Sequence, residues 1–236
     1  IEQHPLVARV ARRILDFAGV LAPGSSGSSS ASSSGGGVEV VVGRADAVMP
    51  ALGERCGLER ADVLYLDHPH VRYHLDMHLA ESVGLLKKGS VTIGNNCLFP
   101  GRPLFVGHAW LGAAAGRYDF ELVPLSVEDY REDDRGLRLP VEEWLGVCVS
   151  LADGAAKEGP APRLPPAFWG AAEEVHATEQ SAQSGPVDWA AHAERVRAAM
   201  QSLGVSPNPD SRWLPLGGRA RGHAGDARKS AVEQRG

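Results

Sequence analysis

Three short apolar runs, each followed by a stretch with helical spacing, constrain this chain more than any other feature. They are "VEVVV" at 38–42, "DVLYL" at 62–66 and "SVTI" at 90–93. Runs of this length, rich in β-branched or aromatic residues and bounded by glycines or polar turns, form buried strands. Between them, 46–52 and 70–86 have helical spacing. The second closes on Lys87, Lys88 and Gly89, cations and a glycine that suit a helix end. A further helix is predicted over 104–111 and a strand over 118–124. Strands alternating with helices argue for an α/β fold with a Rossmann-like, doubly wound, mostly parallel sheet. Ligands of such a sheet bind outside the carboxyl ends of its strands.

Around this core the organisation is simple. Leu6, Val10, Ile14 and Phe17 recur on one helical face between Pro5 and Gly19, so a helix is expected there. The stretch "APGSSGSSSASSSGGG" at 22–37 has too little apolar surface to order itself and reads as a flexible insertion. The folded domain is expected over 1–147. From 148 to 236 the periodicity fades among prolines and small polar residues, which predicts a low-complexity, largely disordered extension with a single helix at 187–203.

Composition narrows the function. A formal charge of -5 leaves no basic footprint, so nucleic acid is not an expected partner. No apolar run approaches the roughly 18 residues that span a bilayer, and no membrane association is expected. Cys56, Cys97 and Cys148 are too widely spaced for a disulfide framework or a metal clip, which points to a reducing, cytoplasmic setting.

The residues that follow the strands are Glu2, then 43–46, then Asp67 and His68, then Asn95 and Asn96. An acid at the end of the second strand of such a fold commonly accepts hydrogen bonds from ribose hydroxyls. Glu2 fits that place, and a plain surface acid is the alternative. Asp67, Asn95 and Asn96 would gather hard oxygen donors from neighbouring strand ends, the kind magnesium or calcium prefers. The alternative is that the two asparagines turn the chain and Asp67 caps a helix. His70, His74 and His78 fall on one helical face. Two histidines one turn apart can share zinc, yet no cysteine or carboxylate completes the set, and a solvated face is the alternative. Cys97 reads as a packing thiol, and Tyr73, His108 and Trp110 as ordinary packing or surface groups.

The order of these pieces resembles the catechol O-methyltransferase family. The matching segments are "IEQHP" with a helix ending "ILDFAGV", then "VEVVVGRADAVMPAL", "DVLYLDHPHVRY", "ESVGLLKKGSVTIGNNCLFPG" and "DYREDDRGL". They cover only the C-terminal part of the family's domain. The resemblance implies S-adenosylmethionine and magnesium as cofactors, and methyl transfer to a small catechol substrate by a monomer. Glu2 would bind the cofactor ribose, with Ala45, Asp46, Asp67 and His68 also on the cofactor side. Asp67, Asn95 and Asn96 would hold the metal. Asn96, Pro100 and Asp129 would contact the catechol, and His70 would act as the base.

Departures from the family accompany the match. Asn95 stands where the family has an aspartate, so one metal carboxylate is gone. His70 replaces a lysine base, Pro69 a tryptophan wall, and Asp129 a glutamate. The family's first strand, which lies in the middle of its sheet, and the glycine-rich loop after it would precede Ile1. A non-catalytic binding module on the same fold is the rival reading.

Overall fold

The computed structural model describes residues 1–21, 37–68, 72–132, 138–153 and 163–213, with backbone alone for 127–132 and 138–141. Seven α-helices are described: α1 Pro5–Phe17, α2 Ala45–Val48, α3 Leu52–Cys56, α4 Tyr73–Ser82, α5 Pro103–Ala114, α6 Pro166–Ala182 and α7 Trp189–Ser202. The strands are β1 Val63–Leu66, β2 Val91–Gly94, β3 Tyr118–Glu132 and β4 Arg138–Ser150. No helix among the described residues is long and apolar enough to cross a membrane.

The expected α/β class is present. The sheet runs β1-β2-β4-β3. β1 and β2 are parallel, from Val63 opposite Val91 to Leu66 opposite Gly94, because α4 carries the chain back between them. β4 lies antiparallel to both β2 and β3, so among the described strands the parallel character expected for most of the sheet is confined to one strand pair. The reason is local: β3 and β4 are consecutive and joined by a short link, and such a link permits only an antiparallel return. The strand expected at 118–124 is therefore the first part of a long hairpin arm.

Two further expectations are corrected. Residues 38–42 bury Val40 and Val41 but make only single parallel bridges, Val42 to Glu2 and Val38 to Leu21, so no ladder forms. A β-branched run becomes a strand only where a neighbour runs alongside it. The helix expected to reach residue 86 stops at Ser82, because Gly84 takes a left-handed conformation (φ 78°) and turns the chain. Leu85 and Leu86 then enter the core on the way to β2.

The segment after Cys148 adds substance to the core. Phe168, Ala171, Ala172 and Val175 form one buried stripe of α6, and Val196 and Met200 one of α7. The helix expected at 187–203 is α7, whereas α6 was hidden by its many alanines and glutamates. By contrast α1 buries only Ala8, and Phe17 is 95% exposed. A cavity of about 340 Å³ lies beside β1, lined by Ile1, Val41, Met49, Leu52, Val63 and Leu64 among others.

One aromatic ring ties the sheet to the strand ends. Gly94 and Gly146 face each other in the β2–β4 register, and both lie under Phe105. A Cβ at Gly94 would stand 2.3 Å from the Phe105 ring, and one at Gly146 2.6 Å. Gly94→Ala should therefore force the ring or the strand to shift and destabilise the fold by about 1–3 kcal/mol. Urea denaturation checks this, and an unchanged midpoint would mean the ring is not pressed on the sheet.

Candidate functional site

β1 and β2 end side by side, so Asp67 and Asn95 leave the sheet together. The Asn95 backbone N–H extends the ladder to the Leu66 carbonyl at 3.1 Å. The Asn95 side-chain Nδ2 donates to Asp67 Oδ1, also at 3.1 Å. Asn96 follows in a left-handed conformation (φ 57°). Its Nδ2 points to Glu143 Oε2 at 3.5 Å. Two of the three residues expected to surround a metal are thus in direct contact, and the third is next in the chain.

Glu143 is the residue the sequence reading missed. It is 6% exposed, on β4 just past the last pair with β2. Its Oε1 accepts the backbone N–H groups of Leu98, Phe99 and Trp144 at 2.9, 3.1 and 2.7 Å. Burial pushes the carboxyl above its ordinary range against the pull of these donors. The available signal was an acid placed inside the apolar run "EEWLGVCVS".

Two of these donors, Leu98 and Phe99, belong to the turn Cys97–Gly101, which carries Pro100. α7 supports that turn from outside. His192 Nε2 donates to the Pro100 carbonyl at 2.7 Å, and Trp189 packs edge-on against Phe99 with ring centroids 5.1 Å apart. The helix expected at 187–203 within the C-terminal extension therefore braces Pro100, a predicted substrate wall. Cys97 is buried, its thiol donating to the Gly94 carbonyl at 3.3 Å, as expected of a packing thiol.

A second cluster runs along the amino ends of α2 and α4. Arg44 grips Asp46 with two bonds of 3.1 and 2.9 Å, and Arg72 reaches the same carboxylate at 3.1 Å. The Arg44 guanidinium holds the Asp46 carboxyl below the usual carboxylate range. Arg72 also lies 3.5 Å from Asp76, whose other oxygen is 3.0 Å from His68 Nε2. The chain of charges thus joins Asp46 to His68, and Ala45 opens the helix between them and Gly43. Glu2 is close by: its carbonyl accepts the Gly43 N–H at 3.0 Å. Its carboxylate accepts the His4 N–H at 2.7 Å, at the start of α1.

His70 and Pro69 lie outside the described residues, as does the side chain of Asp129, which β3 carries. His74 and His78 do not form a solvated face. His74 is buried with its ring edge-on to Trp169 at 6.1 Å, and His78 lies 6.3 Å from His108. Burial lowers the pKa of both. Among the described residues no group of three histidine, cysteine, aspartate or glutamate side chains is placed to hold a metal ion.

The donor set at Asp67 can be weighed against magnesium on its own chemistry. One carboxylate and two amides are oxygen ligands of the right hardness, and the strand ends bring them together. Asn95 now turns its N–H₂ toward Asp67 and would have to rotate its amide to offer oxygen. The residues therefore fit a hard divalent cation, with a single negative charge to hold it.

No family model matches the chain. Relatives do. It is 33% identical over 119 residues to a catechol O-methyltransferase of Sus scrofa, covering 50% of this chain and 55% of that protein. To the catechol O-methyltransferase of Bos taurus it is 32% identical over 106 residues, 45% of this chain and 34% of the relative. A transmembrane O-methyltransferase of Homo sapiens is 30% identical over 130 residues, 55% of this chain and 39% of the relative. The chain thus spans between about a third and about half of the length of these relatives. Over about half its length, this chain resembles part of a catechol O-methyltransferase.

Proposed function

We propose that the chain takes part in methyl transfer from S-adenosylmethionine to a hydroxyl of a catechol-type small molecule, with magnesium as cofactor. The observation that carries this reading is the 3.1 Å contact between Asp67 and Asn95 at adjoining strand ends, with Asn96 beside it. Asp67, Asn95 and Asn96 hold the metal. A cation held there by these three residues would supply Lewis-acid polarisation that makes a substrate hydroxyl easier to deprotonate. His70 takes that proton, since histidine as a residue type can serve as a base near neutrality. Glu2 binds the ribose, while Ala45, Asp46 and His68 line the base of the cofactor. Pro100 walls the aromatic ring, and Asn96 and Asp129 accept from its hydroxyls. Alignment of the donor sulfur, methyl and acceptor oxygen supplies much of the rate. The protein works as a cytoplasmic monomer.

A non-catalytic binding module is the second reading, favoured by one feature. The Asn95 amide already satisfies Asp67 without a cation. Two experiments separate the readings. The longest product of the gene is incubated with S-adenosylmethionine and catechol, with and without magnesium. Magnesium-dependent methylated catechol is expected, and failure to bind S-adenosylmethionine would leave the binding module. Asn95→Asp should raise affinity for Mn²⁺, read by electron paramagnetic resonance, by about tenfold, because a second carboxylate joins the site. An unchanged affinity would count against the metal assignment.

A further inference from the structure

We infer that Glu143 is a positioning residue that sets the orientation of the Asn96 amide, so that Asn96 offers oxygen rather than N–H to whatever binds beside Asp67. This rests on the proposed metal-binding role of that strand end. An ionised carboxylate only accepts hydrogen bonds, whereas an asparagine amide has one accepting end and one donating end. A carboxylate against that amide therefore selects the nitrogen end. Here Oε1 is taken by three backbone N–H groups, from Leu98, Phe99 and Trp144. Oε2 is left to face Asn96 Nδ2 at 3.5 Å. The oxygen of Asn96 is the end that Glu143 does not hold.

The placement comes from the sheet. Gly94 pairs with Gly146 as the last step of β2 against β4. Glu143 lies three residues further along β4, level with the chain as it leaves β2 through Asn95 and Asn96. Phe105 presses on both glycines and keeps the two strands in that register. A buried carboxylate is expensive to desolvate unless donors surround it. A glutamine could satisfy the same three backbone groups through its Oε1. What the acid adds is a second oxygen that accepts from Asn96, where a glutamine would present N–H₂.

That difference supplies the test. In Glu143→Gln the backbone donors keep their acceptor, so the melting temperature should move little. The new N–H₂ meets Asn96 Nδ2, donor against donor, and the Asn96 amide turns over, presenting N–H₂ to the cation. Mn²⁺ affinity should then fall about tenfold or more. Adding Asn96→Asp to that variant should restore it, since aspartate has oxygen at both ends. Wild-type affinity in Glu143→Gln, or no recovery in the double variant, would overturn the inference.

A second readout stands apart from the metal. In ¹⁵N spectra of the metal-free chain, the Asn96 side-chain N–H₂ should exchange slowly with water in the wild type and faster in Glu143→Gln. Unchanged exchange would sink the positioning role. If the wild-type chain binds no Mn²⁺ while this exchange contrast is found, the metal reading fails and the orientation by Glu143 stands.

Discussion

Phe168→Ala should destabilise the protein by about 3–5 kcal/mol, the loss typical of a large aromatic removed from a tight core. Phe168 is fully buried. Its ring lies against Gly107, where an added Cβ would come within 2.8 Å, and tilts against Trp110 with centroids 6.2 Å apart. The void would loosen α6 from α5. α6 carries Val175 and α7 carries Val196, and both side chains close on Gly101. The variant should therefore lose order in the turn around Pro100 as well as stability. Urea unfolding measures the first effect, and amide exchange at Leu98 and Phe99 the second. A loss under about 1 kcal/mol, the range of surface substitutions, would mean that α6 is not docked on the core.

The second large effect is acid sensitivity. His108 is wholly buried, and its pKa is pushed down to about 3 by burial, with Arg117, His74 and His78 adding to the shift. Tyr118 stands over it at 3.5 Å and donates to Glu81, which Arg117 also holds at 2.9 Å. The imidazole is neutral in the folded state, whereas in the unfolded chain it takes up a proton near pH 6.5. Between those values the unfolded state binds more protons, so this contribution is complete above pH 6.5 and is lost as pH falls toward 3. By pH 4 the loss should be on the order of 3 kcal/mol.

Glu81 and Glu143 act in the opposite sense, since burial holds both carboxyls above their ordinary range. The informative quantity is therefore the difference between wild type and His108→Leu. Denaturation midpoints at pH 7 and pH 4 should show the wild type losing more. Parallel curves for the two proteins would refute the assignment to His108.

The alternation of strand and helix was legible because β1, α4, β2 and α5 each carry a clear period. Asp67, Asn95 and Asn96 were legible for the same reason, since each sits directly beyond a recognisable strand. Ranges beyond that depended on partners a local pattern does not contain. Residues 38–42 look like any buried strand, but their neighbours touch them at single points. α4 stops at Ser82, short of the lysines, because left-handed freedom at Gly84 outweighs a favourable charge. β4 was obscured by Pro140, Glu142 and Glu143, since an acid in a strand reads as solvent-facing until its hydrogen-bond donors are known. α6 had the spacing of a core helix at Phe168, Ala171, Ala172 and Val175, yet prolines upstream and alanine around it masked the stripe. His74 and His78 looked solvated from their spacing, and only the packing of α5 and α6 against α4 puts them inside.

The ring of Phe105, wedged over a pair of glycines, gives the molecule a shared wall. The ring belongs to the core, and the glycine it covers on β2 comes directly before Asn95 and Asn96. Any change in side-chain volume there is transmitted to the loops that would receive a ligand, without a single ligand contact being touched. Loss-of-function variants in this neighbourhood will therefore look alike in an activity screen. Only a melting curve measured in parallel tells a broken scaffold from broken chemistry.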